Sequence, residues 1–406
     1  MNIKTWKNRL RRIAAFIGFI IITACVIIYL PCEIYNFQPA QKFAGSQLYN
    51  PYRNLSGEWQ KTNFHAHAIA WGGFTNGKQP PQVIIDSYLQ KGYNYACISN
   101  YENIEREDEQ LNSINVYEHG YNISKTHHLV IMPQKVCYED FPLFQFASSK
   151  QFIIDKLSVD AKAVALPHPD VRNGYTDEDL KKLSGYNLME VLNHSCTSAG
   201  KWDIALSAGK PVWIIGNDDT HNVADHKQTF TNWTMINCAY HNKDSIIDNL
   251  VNGNAYAVKG KNASNDNSLL SVEVNGLTIS IQLQNKADSI KLIGQNGVLK
   301  KTFFNTDKAG YAFNDSDTYV RGIVYNNTST MYLNPVIRYD GKAKPQNILT
   351  ARINSFDTDL YRYSLLFGWL IVFRYFNRTS IERVVELLKE RLAQKRKSPA
   401  FLTGKS

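Results

Sequence analysis

The chain has 406 residues, 44% of them apolar and 20% charged, which is too apolar for a disordered polypeptide and too long for one ordinary core. Its formal charge of +9 is concentrated at the ends: residues 1–12 carry five Lys/Arg and no acid, residues 362–406 carry a net +7, and the stretch between is about −3. That distribution excludes a nucleic-acid-binding surface, which needs its basic residues on the folded body, so no nucleic-acid partner is expected.

In chain order, a basic cytoplasmic segment (1–12) precedes Ile13 to Leu30, IAAFIGFIIITACVIIYL, eighteen residues without a charge. This run is predicted as a transmembrane anchor, 13–30. A cleaved signal peptide shares the basic start, and Ile22-Thr23-Ala24-Cys25 has the look of a lipoprotein cleavage box. Against both stand the length of the apolar run and the lack of an A-x-A-like site before Pro31. In each case the Lys7 to Arg12 cluster places the amino terminus in the cytoplasm. The expectation is a protein held by its anchor in the lipid of an inner or plasma membrane, with its main domains outside the cytoplasm.

After a linker (31–57), residues 58–258 alternate apolar runs such as ACIS, HLVIMP, AVALPHP, LMEVLN and VWIIGND with helical stretches such as QVIIDSYLQKG and KDSIIDNLVNG. Strand and helix in alternation predict a mostly parallel α/β unit. Over 265–342 the texture changes to period-two strands separated by Asn, Gly and Asp turns, as in SVEVNGLTISIQL, which predicts a small β-sandwich. Residues 361–376, around SLLFGWLIVF, are a candidate second membrane segment or a buried or surface helix. Residues 379–397 read as an amphipathic basic helix opened by a Thr379/Glu382 capping box.

The chemistry lies where strand-like runs end. In Asn63-Phe64-His65-Ala66-His67, residues i and i+2 of an extended segment point the same way, so His65 and His67 can offer two imidazoles to one ion. ALPHPD places His168 after an apolar strand, and VWIIGNDDTHN places Asp219 and His221 in the i, i+2 relation after another. Three such motifs, each at the carboxyl end of a predicted strand, occupy the positions where an α/β barrel assembles its site.

In their order, H-x-H, H-P, then G-x-D-x-H, these residues resemble the PHP (polymerase and histidinol phosphatase) domain family over about 58–258. The resemblance implies a distorted (β/α)7 barrel and phosphoester hydrolysis on clustered Zn, Mn or Fe ions. His65, His67 and Asp219 would hold one ion, His168 a second and His221 a third, with His168 or His221 steadying the developing charge. The β-sandwich is similar to the carboxyl-terminal module of extracytoplasmic members. Two departures stand out. Ser99-Asn100-Tyr101 occupies the family's T-D-H, and Met132-Pro133-Gln134-Lys135-Val136 has no carboxylate where a bridging glutamate is expected, with Glu139 and Asp140 as substitutes a few residues on. The expectation is therefore fewer than three divalent ions, in either a membrane-anchored hydrolase of a small phosphoester or a non-catalytic binding or scaffold protein.

Around this set, Glu190 and Asn193 end a strand within reach of the cleft, and Asp218 is expected to accept a hydrogen bond from a metal-bound histidine. Trp71 walls a substrate pocket or packs under its Gly-rich loop. Lys135 is expected to be solvated, and His127 and His128 to be surface or packing residues.

Overall fold

The computed structural model describes residues 3–105, 113–240 and 242–396, and divides into two units, Met1–Ile34 with Ile353–Ser406, and Tyr35–Arg352.

Among the described residues, the larger unit carries a six-stranded and an eleven-stranded sheet. One is built from β4 (Val116–His119), β5 (His128–Ile131), β6 (Ala163–Leu166), β7 (Leu188–Asn193), β8 (Cys196–Thr197) and β9 (Trp213–Gly216), in the order β9-β7-β6-β5-β4 with β8 on β7. The other contains β1 (Gln47–Tyr49), β2 (Trp59–Asn63), β3 (Tyr95–Ala96), β10 (Asn232–Asn237), β11 (Ala255–Lys259), β12 (Leu269–Asn275), β13 (Thr278–Gly294), β14 (Val298–Ala312), β15 (Tyr319–Tyr325), β16 (Thr330–Leu333) and β17 (Val336–Tyr339). Its main path runs β12-β13-β15-β16-β11-β10-β2-β3.

The expected seven-unit barrel is not what forms. Only β6, β7 and β9, and separately β2 and β3, run parallel; β4 and β5, β5 and β6, and β2, β10 and β11 are antiparallel neighbours. The physical reason is the connections. A parallel step needs a crossover of a dozen or more residues, whereas β4 passes to β5 through residues 120–127 with no helix between them. The two sheets touch through isolated parallel bridges, Ala66 with Thr220 and Tyr101 with Glu118, rather than continuous ladders.

Nor do residues 265–342 fold as a separate sandwich. The two-residue Gly276-Leu277 turn closes the β12–β13 hairpin, with Gly276 at φ 59° in the Asn-Gly turn region that the sequence marks. The boundary near residue 260 is absent, however, because β16 pairs β11 from Tyr256↔Leu333 to Lys259↔Thr330, and one core runs from Ile84, Tyr88 and Trp233 to Leu283, Ile290 and Val324.

In the smaller unit, a helix at Ile3–Tyr29 lies against a helix at Ser355–Arg396. Among the described residues no helix is long and apolar enough to cross a membrane, which corrects the expected transmembrane helix at 13–30. The first helix stops at Tyr29, so its uncharged part from Ile13 onward is about 25 Å at 1.5 Å per residue, short of a hydrocarbon core of about 30 Å. Its aromatic side chains meet the other helix instead: Phe19 stacks on Phe376 at 4.9 Å, Trp369 Nε1 donates to Thr23 Oγ1 at 3.0 Å, and Arg362 donates to the Leu30 and Pro31 carbonyls. The segments expected at 361–376 and 379–397 belong to one uninterrupted helix. The side chains of the expected amphipathic face, Ile381 to Leu392, and Lys397 itself lie outside the described residues.

Candidate metal centre

The functional side chains come from strands of the two sheets or from the residues that flank them. β2 leads into His65 and His67, β4 carries Glu118, β5 begins beside His127, β6 leads into His168, β7 carries Glu190 and Asn193, and β9 leads into Asp219 and His221. His168 and Asp219 both have positive φ, 31° and 52°, an uncommon backbone state for side-chain-bearing residues and one that collects at functional sites.

The structure brings His65, His67 and Asp219 together, as their motifs suggest, and adds Glu118. Nε2 of His65 and of His67 lie 3.3 Å apart; Glu118 Oε2 is 3.2 and 2.9 Å from them, and Asp219 Oδ1 is 3.2 Å from each. These spacings are those of hydrogen bonds, yet neither Glu118 Oε2 nor Asp219 Oδ1 receives an aligned donor. Four lone-pair atoms turned toward a common point at such separations match the edges of a coordination shell with metal–ligand bonds of about 2.0–2.2 Å. The other oxygen of Glu118 faces a second set: Oε1 contacts His127 Nδ1 and lies 3.2 Å from His168 Nε2. One carboxylate thus stands between two groups able to hold an ion, His65-His67-Glu118-Asp219 and Glu118-His127-His168, all buried.

A further buried group, His65-His168-Glu190, shares two of these histidines, but Glu190 is committed to orienting. Its Oε1 lies 3.0 Å from His65 Nδ1 and accepts from Asn217 Nδ2, while Oε2 accepts from Asn193 Nδ2 and the His168 amide. A carboxylate on Nδ1 holds His65 in the tautomer that leaves Nε2 free for an ion. Asn193 also reaches Asp219 Oδ2 at 3.4 Å.

The electrostatics point the same way. Three carboxylates, Glu118, Asp219 and Glu190, are buried among imidazoles, a negative pocket that stays folded only with compensating positive charge. In the protein without ions, protons fill that role. Burial by itself would lower the pKa of His65, but Asp219, Glu190 and Glu118 together hold it well above the ordinary histidine value. His67 and His168 are likewise raised against burial, by the adjoining carboxylates of Asp219 and Glu118 for the first and chiefly by Glu118 for the second. Burial would raise Glu118 and Asp219, yet His127 and His65 push the first well down, and His65 and His67 lower the second. An ion displaces those protons and takes their charge.

His221 stays outside both groups. Its Nδ1 is 3.0 Å from the Asp219 carbonyl oxygen, its ring stacks on His67 at 4.5 Å, and burial pushes its pKa down to about 4, so it is neutral with a buried, unpartnered Nε2. The opposing partner of His67 is Tyr101, stacked at 4.3 Å. Where the family resemblance implies a third ion, this chain has an aromatic sandwich around His67.

Several expectations need correction. The carboxylate that stands between the two groups is Glu118, not Glu139 or Asp140. Glu139 faces Lys156 at 3.5 Å, and Asp140 accepts from the Tyr121 amide and the amides of Asn122 and Gln145. Asp218 does not support a metal-bound histidine: its oxygens accept from Tyr88 Oη, Thr231 Oγ1 and the amides of Phe230, Thr231 and Asn232, pinning the loop before β10. His127 faces the centre while His128 bonds Tyr175 on the other face of β5. Lys135, by contrast, is solvated as expected, 73% exposed and paired with Asp160. Glu118 and His127 were the residues that sequence reasoning missed; the available signal was the acid in VYEHG, an apolar run ending in a carboxylate.

Behind the centre, Glu102 adds a measurable electrostatic signature. Its Oε1 accepts from the Gly120 amide at 2.6 Å and its Oε2 is buried without a partner, so burial, helped by Asp140 and Glu118, raises its pKa from 4.5 to about 8. A carboxyl raised on folding contributes stability that is complete below about pH 4.5 and is lost as pH rises through about 8. Unfolding free energies from urea titrations between pH 5 and 9 are expected to fall for the wild type by roughly 2–4 kcal/mol more than for Glu102→Gln, which keeps the acceptor and cannot ionise.

No family model matches the sequence, and no curated protein matches it. Among solved structures the chain is similar to a two-domain protein from Bacteroides vulgatus ATCC 8482 containing a predicted PHP-like metal-dependent phosphoesterase, at 13% identity and a TM-score of 0.40, over 78% of this chain and 100% of that one. The case for function rests on the centre itself.

Proposed function

We propose that the protein is a metal-dependent hydrolase of phosphoesters working with two divalent ions that share Glu118. The observation that carries this reading is the orientation of Glu118, one oxygen toward His65 and His67 and the other toward His127 and His168. A carboxylate shared between two cation positions is the arrangement in which attacking and leaving oxygens of a phosphoryl group are both stabilised. When bound, such ions supply positive charge at the phosphoryl oxygens and a water of lowered pKa.

The chain's own residues do the rest. His65, His67 and Asp219 would hold the first ion, and His127 and His168 the second. Glu190 fixes His65, and Asn193 steadies Glu190 and Asp219. Tyr101 covers His67, keeps a hydroxyl donor beside Glu118, and keeps that side of the centre free of bulk water. His221 presents an unprotonated Nε2 on the opposite face of His67, an acceptor for a water or a leaving group's hydroxyl. The alternative of a binding protein without turnover drew its force from a missing bridging acid, and Glu118 fits that place.

The test is the metal content of the purified full chain after supply of Zn or Mn, beside its hydrolysis of p-nitrophenyl phosphate. About two ions per chain and ion-dependent turnover are expected, with turnover lost and no more than about one ion left in the His65→Ala/Asp219→Ala double variant, which keeps the Glu118-His127-His168 set. A wild type that holds ions at the level of the double variant would remove the reading.

A further inference from the structure

The loop between the two halves of the centre has a construction that the hydrolytic chemistry does not use. It leaves the centre at His67 and returns beside His221: the Ile69 amide donates to the Gln79 carbonyl, the Lys78 amide to the His221 carbonyl, and Gln79 Nε2 to Asn222 Oδ1, at 2.9, 2.9 and 2.7 Å. The clasp is close enough that a Cβ on Gly77 would come within 2.2 Å of the Ala68 carbonyl oxygen. At the tip, Trp71, Gly72 and Gly73 are three successive residues with positive φ, 52°, 63° and 88°.

This tight base holds an apolar tip in the open. Trp71 is 53% exposed, with Ile69 and Phe74 exposed beside it. Its indole is nevertheless fixed, because Nε1 donates to the Tyr101 carbonyl at 2.7 Å. Tyr101 in turn lays its ring on His67 at 4.3 Å and 24°, with the Lys125 ammonium 5.5 Å from the centre of that ring. An exposed tryptophan in a left-handed backbone, anchored to the residue that covers a metal ligand, leaves apolar surface in water and stores strain with no gain in packing. Such strain persists where surrounding structure imposes it and where a ligand uses it. A rigid, flat face beside the centre suits a flat partner, since stacked aromatic rings gain about 0.5–1.5 kcal/mol beyond area burial. A flexible alkyl chain would be served better by an aliphatic groove.

We propose that Trp71 is a specificity-determining residue and that the substrate is a phosphoester whose alcohol half is an aromatic ring. The ring rests on the Trp71 indole and the edge of Tyr101, the phosphoryl group lies at Glu118, and Lys125 balances its outer charge. This rests on the phosphoesterase reading and adds the class of leaving group.

The experiment is calorimetric binding of benzylphosphonate and methylphosphonate to the ion-loaded full chain. The wild type is expected to bind benzylphosphonate about tenfold more tightly, a difference of about 1.4 kcal/mol. Trp71→Ala brings the two affinities together by weakening benzylphosphonate binding about tenfold. Trp71→Phe, which keeps a ring, retains most of the preference. Equal wild-type affinities, or a preference that survives Trp71→Ala, would overturn this inference and leave the phosphoesterase reading standing. A wild type that holds ions and binds neither phosphonate would overturn both.

Discussion

Glu118→Gln is expected to remove both ions from the centre at once and to lower phosphoester turnover by roughly three orders of magnitude or more. Every other ligand serves one position, whereas Glu118 places Oε2 2.9 Å from His67 and Oε1 3.2 Å from His168. An amide of the same shape keeps one weak acceptor, carries no charge, and points its NH2 at one histidine set. The comparison that isolates the shared role is His127→Ala, which lies only on the second set. Ion counts of about two for the wild type, one for His127→Ala and none for Glu118→Gln are the expected series. A Glu118→Gln protein that keeps one ion per chain would mean that the two sets are independent and that Glu118 belongs to one of them.

The second large effect lies far from the centre. Asp203→Ala is expected to destabilise the larger unit by about 3–5 kcal/mol, because it leaves a guanidinium buried without its counter-charge. Arg321 on β15 is 3% exposed and reaches Asp203 twice, Nε to Oδ1 at 2.8 Å and Nη2 to Oδ2 at 2.6 Å. Tyr319 Oη donates to the same carboxylate at 2.8 Å, the guanidinium lies 5.0 Å over the Trp202 ring, and Arg321 Nη1 already has no partner. Asp203 sits on the helix Ala199–Ser207, so the pair fastens that helix to β15. The attraction itself is not the source of the effect, since the desolvation of two buried charges nearly cancels it. Accordingly the double variant Asp203→Leu/Arg321→Met is expected to lie within about 1 kcal/mol of wild type by urea midpoint. If the double variant is as unstable as Asp203→Ala, the interaction is net stabilising and the desolvation argument fails here.

The parts of this protein that its sequence determined by itself are those whose geometry is local. In an extended chain i and i+2 share a face, so His65 with His67 could be read as a converging pair. Asp219 and His221 carry the same spacing, but the Asp219 backbone turns to φ 52° and only its carboxylate joins the group, while His221 stacks on His67. The turn after Asn275 in the β12–β13 hairpin was legible for the same reason, since it is made within four residues.

What the tertiary structure decided was every relation between distant segments. Glu118 meets His168 across 50 residues, and no local pattern says which acid of an apolar run lies opposite a given histidine. His127 and His128 are neighbours with opposite fates, and only the register Val130↔Val164 and His119↔His128 settles which imidazole faces the centre, because one step along a strand reverses its side. The continuity of β11 with β16 is likewise a pairing between segments some 75 residues apart that each read, alone, as part of a different domain. Ser99-Asn100-Tyr101 reads in one dimension as lost ligands; in three it places a phenol ring on His67 and a carbonyl under Trp71. Local backbone geometry is written in a few adjacent residues, whereas a metal centre is a set of lone pairs brought to one point by sheet register, which no single segment contains.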